Sequence, residues 1–366
     1  MVVSEFMIKI HIHYKTKDQA WGGGNQFLKA LKAYLRNMGA YEDRPECAQV
    51  VLFNGHNLGN KWNLILSLYK LWRLKSRPAI IYRVDGPISV VRQSDASLDR
   101  LIFFFSKVFA AGIVFQSEWS RRQNQLMGMP NKKLVTVITN APDPTIFYPG
   151  TRNTHAKTRI IATAWSANFR KGFDIYRYLD EHLDWDRYEM TFVGNSPIEF
   201  TNIKHVPPVK SDELAALLRG HDMFISASAL EACSNSLGEA LHCGLPVVVI
   251  NSSSNPEIVG SAGELFNGKE DLLNAIDKVA TSIDTYRNNI NLPTISGVGD
   301  AYYRFATEAW AAQSRMSDSN YSLFDLAKLF CLLVWTRYGP PIRRRTIDRL
   351  SRGKSVQREK FINESN

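Results

Sequence analysis

Short apolar runs alternate with stretches of helical spacing from residue 7 to about residue 290, and this alternation is what most constrains the fold. A strand that pairs in parallel with its neighbour needs a crossover, usually a helix packed on the sheet, so the pattern specifies α/β architecture with parallel sheets. Met7–His13 reads as the first strand. After Gly22–Gly24, the segment Asn25–Met38 places Phe27, Leu28, Leu31, Tyr34 and Leu35 on one helical face, and Gly39 stands at the C-terminal stop. Gln49–Phe53, Ala79–Val84, Ala110–Gln116 and Val135–Ile138 read as further strands. Pro142, Pro144, Pro149, Gly150 and the polar run TRNTHAKT then mark Asn140–Arg159 as a domain boundary. A second alternation follows: strands at Arg159–Ala164, Tyr188–Val193, Met223–Ala227 and Pro246–Ile250, helices at Ser211–Leu218 and Ser236–Cys243. The expected organisation is two α/β domains, 1–150 and 151–300, then crossing and amphipathic helices over 301–338 and a basic tail over 339–366.

The 366 residues carry a net charge of +10, and half of it lies in residues 339–366, where eight Lys or Arg face three Asp or Glu. The remaining body is only mildly basic, so a dedicated nucleic-acid binder is not expected. Cys47, Cys233, Cys243 and Cys331 form no C-x-x-C pair, which suits reduced thiols in the cytosol. The opening MVVSEFMIKIHIHY lacks the basic and apolar regions of a secretory signal. Lys107 interrupts the apolar stretch Leu101–Phe115, and Asp325 and Lys328 interrupt Leu323–Trp335, so a spanning helix is not expected.

Three constellations could carry chemistry. Gly22–Asn25 follows the first strand, and such a loop lets a backbone approach a ligand while the next helix offers free N–H groups to an anion. It meets neither the dinucleotide nor the Walker pattern, and a simple strand-to-helix turn reads as well. Trp165–Gly172, WSANFRKG, sets Arg170 and Lys171 beside a glycine, as a diphosphate clamp or a solvated basic turn would. Glu231 and Glu239 lie eight residues apart, across a loop and a helix start that Ser234 or Asn235 can cap. Carboxylates there suit sugar hydroxyls and the helix amides suit phosphates; two surface glutamates on a capped helix would share the spacing.

The whole run EACSNSLGEALHCGLPVVVINSSSNPEIVGSAG, residues 231–263, resembles the signature of retaining glycosyltransferases of the GT-B fold, family 4 or "group 1". VFQSEWSRR (114–122), VITNAPDPTIFYP (137–149), VGNSP (193–197) and SDELAALLRGHDMFISAS (211–228) fit that family's landmarks in order, and the resemblance covers about residues 7–315. It implies two facing Rossmann-like domains, acceptor-side then donor-side. It implies that Glu239 binds the donor ribose, Glu231 approaches the transferred sugar, and Lys171 contacts the donor phosphates. Backbone amides at Asn235, Ser236 and Leu237 would hold the diphosphate, with Gly23 and Gly24 matching the first-domain glycine loop. The chain departs from the family at Ser166, where an arginine is usual and Arg170 could supply the charge. It also reads Tyr82-Arg83-Val84-Asp85-Gly86-Pro87 where many members carry His-Asp, which gives Asp85 a related role near the acceptor. His56, after another strand, reads equally as a cleft residue and as a structural histidine.

The implied activity is metal-independent transfer of a sugar from a nucleotide-diphosphate sugar to an acceptor hydroxyl, with retention and with no cofactor. Asp184-Trp185-Asp186 is a D-x-D, but it sits in a polar connection rather than at a strand end. The base is expected near Pro207–Val209. The acceptor is expected to be a glycan, surface or lipid-linked, and the location cytoplasmic, at the inner membrane face. Lys61–Arg77 and Tyr321–Arg337 are amphipathic and the second leads into Arg343–Arg345, which suits peripheral contact with anionic lipid as well as helices packed on a domain. A GT-B sugar-nucleotide epimerase, or a non-catalytic membrane-associated protein of the same fold, remains open at this stage.

Overall fold

The computed structural model describes residues 7–16, 23–54, 61–92, 96–132, 134–151, 155–315 and 321–338. His56 and the tail 339–366 lie outside them. In chain order the first elements are β1 (Ile10–His13), α1 (Gly23–Asn37), β2 (Val50–Asn54), α2 (Lys61–Trp72), β3 (Ala79–Val84), α3 (Ile88–Arg92), α4 (Ala96–Val108), β4 (Gly112–Phe115), α5 (Glu118–Leu126) and β5 (Val135–Val137). Then come β6 (Thr158–Ala164), α6 (Phe173–His182), β7 (Tyr188–Gly194), β8 (Lys204–Val206), α7 (Ser211–Arg219), β9 (Met223–Ser226), α8 (Asn235–His242), β10 (Val247–Ile250), α9 (Asn255–Val259) and β11 (Gly263–Phe266). The chain closes with α10 (Lys269–Thr281), α11 (Ile283–Asn288), α12 (Ile295–Arg315) and α13 (Leu323–Tyr338).

The chain divides into two compact units: residues 1–14, 38–137 and 302–366, and residues 15–37 and 138–301. In the first, five parallel strands run in the order β1-β2-β3-β4-β5. β3 is buried at all six positions, and its alternate residues Ile80, Tyr82 and Val84 join Phe53, Leu68, Phe105 and Leu329 in one core. The second unit has six parallel strands in the order β11-β10-β9-β6-β7-β8. Strand order reverses between β6 and β9, and open parallel sheets bind ligands outside the carboxyl ends of such a switch point. Two parallel Rossmann-like units of this kind are the GT-B fold.

The division differs from the expected spans in two places. The proline-rich segment 140–150 reads as a linker, yet it is tied to the second unit. Phe147 is buried with Ala215, Leu218 and Cys243; Arg219 donates to the Ile146 carbonyl at 2.9 Å and Arg287 to the Gly150 carbonyl at 2.5 Å. α1 also joins the second unit, where Tyr34 donates to Asp300 at 2.6 Å. The division then falls within α12, whose later part belongs to the first unit: Tyr303 accepts from the Ile8 amide at 3.2 Å, and Gln313 donates to the Arg77 carbonyl at 3.1 Å. β8, α9 and β11 have no counterpart in the sequence reading. β8 is three residues with no buried position, α9 is five residues with a proline second, and β11 buries only Phe266. Edge elements of that size leave no apolar periodicity to read.

Candidate functional site

β6 ends at Ala164 and runs into Trp165–Gly172; β9 ends at Ser226 and runs into the loop that carries Glu231. These loops flank the switch point of the second unit. A cleft of about 280 Å³ opens there, lined by Gly23, Gln26, Trp165, Ser166, Lys171, Tyr176, Pro208, Val209, Ser228, Glu231, Ser234–Ser236 and Glu239 among others.

Two glycines fix its walls. Gly172 has φ +86°, and a Cβ there would stand 2.4 Å from the Ala227 carbonyl oxygen, so only glycine lets the Lys171 loop lie against the end of β9. A Cβ on Gly23 would stand 2.2 Å from the Asn235 Cβ, so the first turn of α1 abuts the first turn of α8. Gly172→Ala is expected to cost at least the roughly 1–2 kcal/mol of a left-handed non-glycine residue, with the clash added. A lower melting temperature by calorimetry would show it. An unchanged melt would mean that the loop leaves β9 by another path.

The cleft floor is the start of α8. Ser234 caps this helix: its hydroxyl accepts from the Leu237 amide at 3.4 Å, and its carbonyl accepts from the Gly238 amide at 3.1 Å. The amides of Asn235 and Ser236 have no acceptor within the helix, and the helix dipole adds to their attraction for an anion. The Asn235 side chain is held in turn by Asn140, which donates to its Oδ1 at 2.9 Å.

Lys171 forms an ion pair with Glu231. The same carboxylate oxygen accepts from the Ser228 hydroxyl at 2.6 Å. The Glu231 backbone is pinned from β10's exit loop: its amide donates to Ser253 Oγ at 3.0 Å, and its carbonyl accepts from Ser254 Oγ at 2.9 Å. Asn255 donates to the Ser228 carbonyl at 3.1 Å. Glu239 sits one turn into α8 with its side chain 8% exposed. Burial pushes its carboxyl up to about 8, so at neutral pH it is mostly protonated.

Of the expected site residues, Gly23, Lys171, Glu231, Asn235, Ser236 and Glu239 line this one cleft. Four are placed otherwise. Gly24 and Gly23 belong to the first turn of a helix rather than to a loop, and Gly24 is not in the lining. The Leu237 amide is taken by the Ser234 cap and its side chain is fully buried. Arg170 is exposed and outside the lining, while Ser166 lies in it. Asp85 belongs to the first unit. There Arg83, buried on β3, donates to Asn54 at 2.6 Å and lies 3.6 Å from Asp85, whose carboxylate also accepts from Gln116. Lys171, which the resemblance sends to the donor phosphates, is paired with Glu231.

The sequence reading missed Tyr176, Gln26 and Ser228 in the lining and the supports Asn140 and Ser252–Asn255. Only the last had a signal: SSSN directly after a strand is a dense set of hydroxyl and amide groups in a loop.

Residues 181–282 match the model of a family described as "Glycosyl transferases group 1", and the match includes Glu231 and Glu239. Among solved structures, Anabaena HepE in complex with UDP-glucose is similar at a TM-score of 0.58 and 12% identity, over 84% of this chain and 100% of that one. AviGT4, a glycosyltransferase involved in avilamycin A biosynthesis, is similar at a TM-score of 0.57 and 14% identity, over 83% and 98% of the two chains. Sucrose-phosphate synthase from Thermosynechococcus elongatus follows at 0.52 and 16%, over 82% and 79%. At these identities the likeness establishes the GT-B fold. No curated protein sequence matches the chain.

Proposed function

We propose that this protein is a retaining glycosyltransferase that moves a sugar from a uridine diphosphate sugar to an acceptor hydroxyl. The observation that carries the reading is one cleft holding both kinds of recognition group. The free amides of α8 and the Lys171 ammonium suit a diphosphate, and the carboxyls of Glu231 and Glu239 suit hydroxyls. The group 1 match over this segment and the UDP-glucose complex of HepE support the choice of donor. In the reaction the bond from the sugar's anomeric carbon to the β-phosphate oxygen breaks and a bond to the acceptor oxygen forms. UDP departs and the acceptor releases a proton. Negative charge grows on the departing diphosphate, where a fixed cation and helix amides stabilise the transition state more than the ground state. Glu239 takes the ribose, Glu231 the transferred sugar, and Pro208 and Val209 border the base. The reaction so written uses no metal and no cofactor.

Asp85, held by Arg83 and Gln116, is assigned to the acceptor, read as a growing glycan on a lipid carrier at the cytoplasmic face of a membrane. Among the described residues no helix is long and apolar enough to cross one.

A melt of the full chain with UDP-, GDP-, ADP- and dTDP-glucose tests the donor. Ligand at 100 times its Kd adds about 2.7 kcal/mol of stability, so the UDP-sugar is expected to raise the melting temperature by several degrees. Release of UDP should then depend on added acceptor. If none of the four shifts the melt, the reading falls; if another base does, the uridine assignment falls alone.

A further inference from the structure

Ser253 is the one described residue other than glycine with a positive φ, at +54°. The six other described positions with positive φ are all glycine. A side chain on an L-residue is strained in the left-handed region. Such strain persists only where the surrounding structure holds it, and it collects at functional sites. Where this chain spends a serine rather than a glycine on that conformation, the serine side chain is the group to explain.

Its hydroxyl accepts from the Glu231 amide at 3.0 Å. Glu231 lies in irregular backbone between β9 and α8, so no strand ladder or helix supplies partners to its main chain. β9 and β10 are parallel neighbours in the sheet, and their exit loops leave the same edge side by side. The loop after β10 meets the Glu231 loop almost residue by residue. The Ser252 hydroxyl donates to the Ala229 carbonyl. The Ser254 amide and hydroxyl donate to the Glu231 carbonyl at 3.3 and 2.9 Å, and Asn255 donates to the Ser228 carbonyl at 3.1 Å. Both main-chain polar groups of Glu231 are thus held by this loop, and the amide is held through Ser253. Ser254 and Asn255 are fully buried and anchor the loop, while Ser253 stands outside the cleft lining.

We propose that Ser253 is a positioning residue for Glu231: its left-handed turn aims the hydroxyl at the Glu231 amide and fixes the backbone from which the carboxylate reaches Lys171 and the donor sugar. The proposal rests on the donor reading above, in which Glu231 takes the transferred sugar. Ser228 orients the carboxylate, and Ser253 and Ser254 hold the main chain beneath it. The strain has a use in this arrangement, since glycine would relax the turn but offer nothing to the amide. A misplacement of about 1 Å at a reacting group can cost about 10² in rate. With Ser254 still bound, loss of the Ser253 hydroxyl is expected to cost about tenfold. UDP is read by the α8 amides, Lys171 and Glu239, so the loss falls on turnover and not on UDP affinity.

Three variants of the full chain test it. Ser253→Ala removes the hydroxyl and keeps the strain. Ser253→Gly removes both. Ser253→Asn keeps an acceptor on a residue type that tolerates the left-handed region. The alanine and glycine variants are expected to hydrolyse UDP-glucose about tenfold more slowly than wild type while binding UDP equally well. They should do so although the glycine variant melts a few degrees above the alanine variant. The asparagine variant should hydrolyse faster than either. Acylation of Lys171 by acetic anhydride, read by mass spectrometry without donor, should be severalfold faster in the alanine and glycine variants, because an ammonium held against a carboxylate is shielded. If hydrolysis instead follows the melting temperature, so that glycine recovers what alanine loses, the role is structural and the proposal is overturned. It is overturned too if both variants hydrolyse and label like wild type, or if UDP affinity falls along with turnover, since the loop would then support the whole cleft. If the wild type does not hydrolyse UDP-glucose, the donor reading fails, and the labelling of Lys171 alone decides whether Ser253 holds Glu231.

Discussion

Glu239→Gln is expected to make the protein melt higher above neutral pH while it loses most of its nucleotide affinity. The carboxyl is buried, and among the described residues none donates a hydrogen bond to it. Its titration near 8 compares with 4.5 for an ordinary glutamate. The sign follows from which state holds the proton. Below pH 4.5 both states are protonated and the residue contributes no pH dependence. Between 4.5 and 8 the unfolded chain releases the proton and the folded chain keeps it, so stability falls as pH rises. At about 1.4 kcal/mol per pH unit, the deficit is on the order of 3 kcal/mol at pH 7. Glutamine cannot ionise and escapes that deficit. Calorimetric melts of both proteins should therefore converge near pH 5 and separate toward pH 8. Nucleotide binding should run the other way. Ribose hydroxyls donate best to a carboxylate, so binding expels the proton and UDP affinity rises with pH toward 8. In the variant the charge-assisted bonds are gone, at about 1.5–3 kcal/mol, and affinity is flat with pH. Parallel melting curves at all pH values would refute the buried acid; equal UDP affinity would take Glu239 out of the site.

The sequence was most legible where burial is complete and least where an element is small or a side chain has two uses. β3 was bounded correctly at Ala79–Val84 because all six positions are buried, and a continuous apolar run is what a central parallel strand requires. The segment 140–150 misled because prolines mark a linker equally well whether it is free or, as here, clamped by Arg219 and Arg287; nothing local encodes contacts with residues over 70 positions away. The motif residues come together in one cleft, but a motif assigns roles and not geometry. It gave no hint that the Leu237 amide is consumed by the Ser234 cap, nor that α1 brings Gly23 against Asn235. The two amphipathic segments were each visible, while the packing of α13 beside α2, some 250 residues away in the chain, was not.

Lys171 and Glu231 carry the second large effect, because the structure joins two residues that the motif sends to different parts of the donor. Lys171→Ala removes the one cation lining the described cleft and leaves Glu231 with Ser228 alone. Two outcomes separate its possible roles. If the ammonium turns to the diphosphate when donor binds, Lys171→Ala should weaken UDP and leave uridine affinity unchanged. Hydrolysis of UDP-glucose should then slow by about 10²–10³, as when one preorganised charge stabiliser is removed. Glu231→Gln would in that case leave UDP affinity intact, and the two substitutions would add. If Lys171 serves only to hold Glu231, UDP binds both variants normally, each loses the same turnover, and the double variant loses no more than either alone, since residues acting as a unit are not additive. The geometry favours the first outcome. Lys171 shares the cleft with the free amides of Asn235 and Ser236, and Ser228 is already in place to keep Glu231 oriented once its cation moves. Arg170→Ala is the control: exposed and outside the lining, it should hydrolyse UDP-glucose within a factor of about three of wild type, as surface substitutions away from a site do. A loss there as large as that of Lys171→Ala would place both cations on the diphosphate and bring the Trp165–Gly172 loop inward when donor binds.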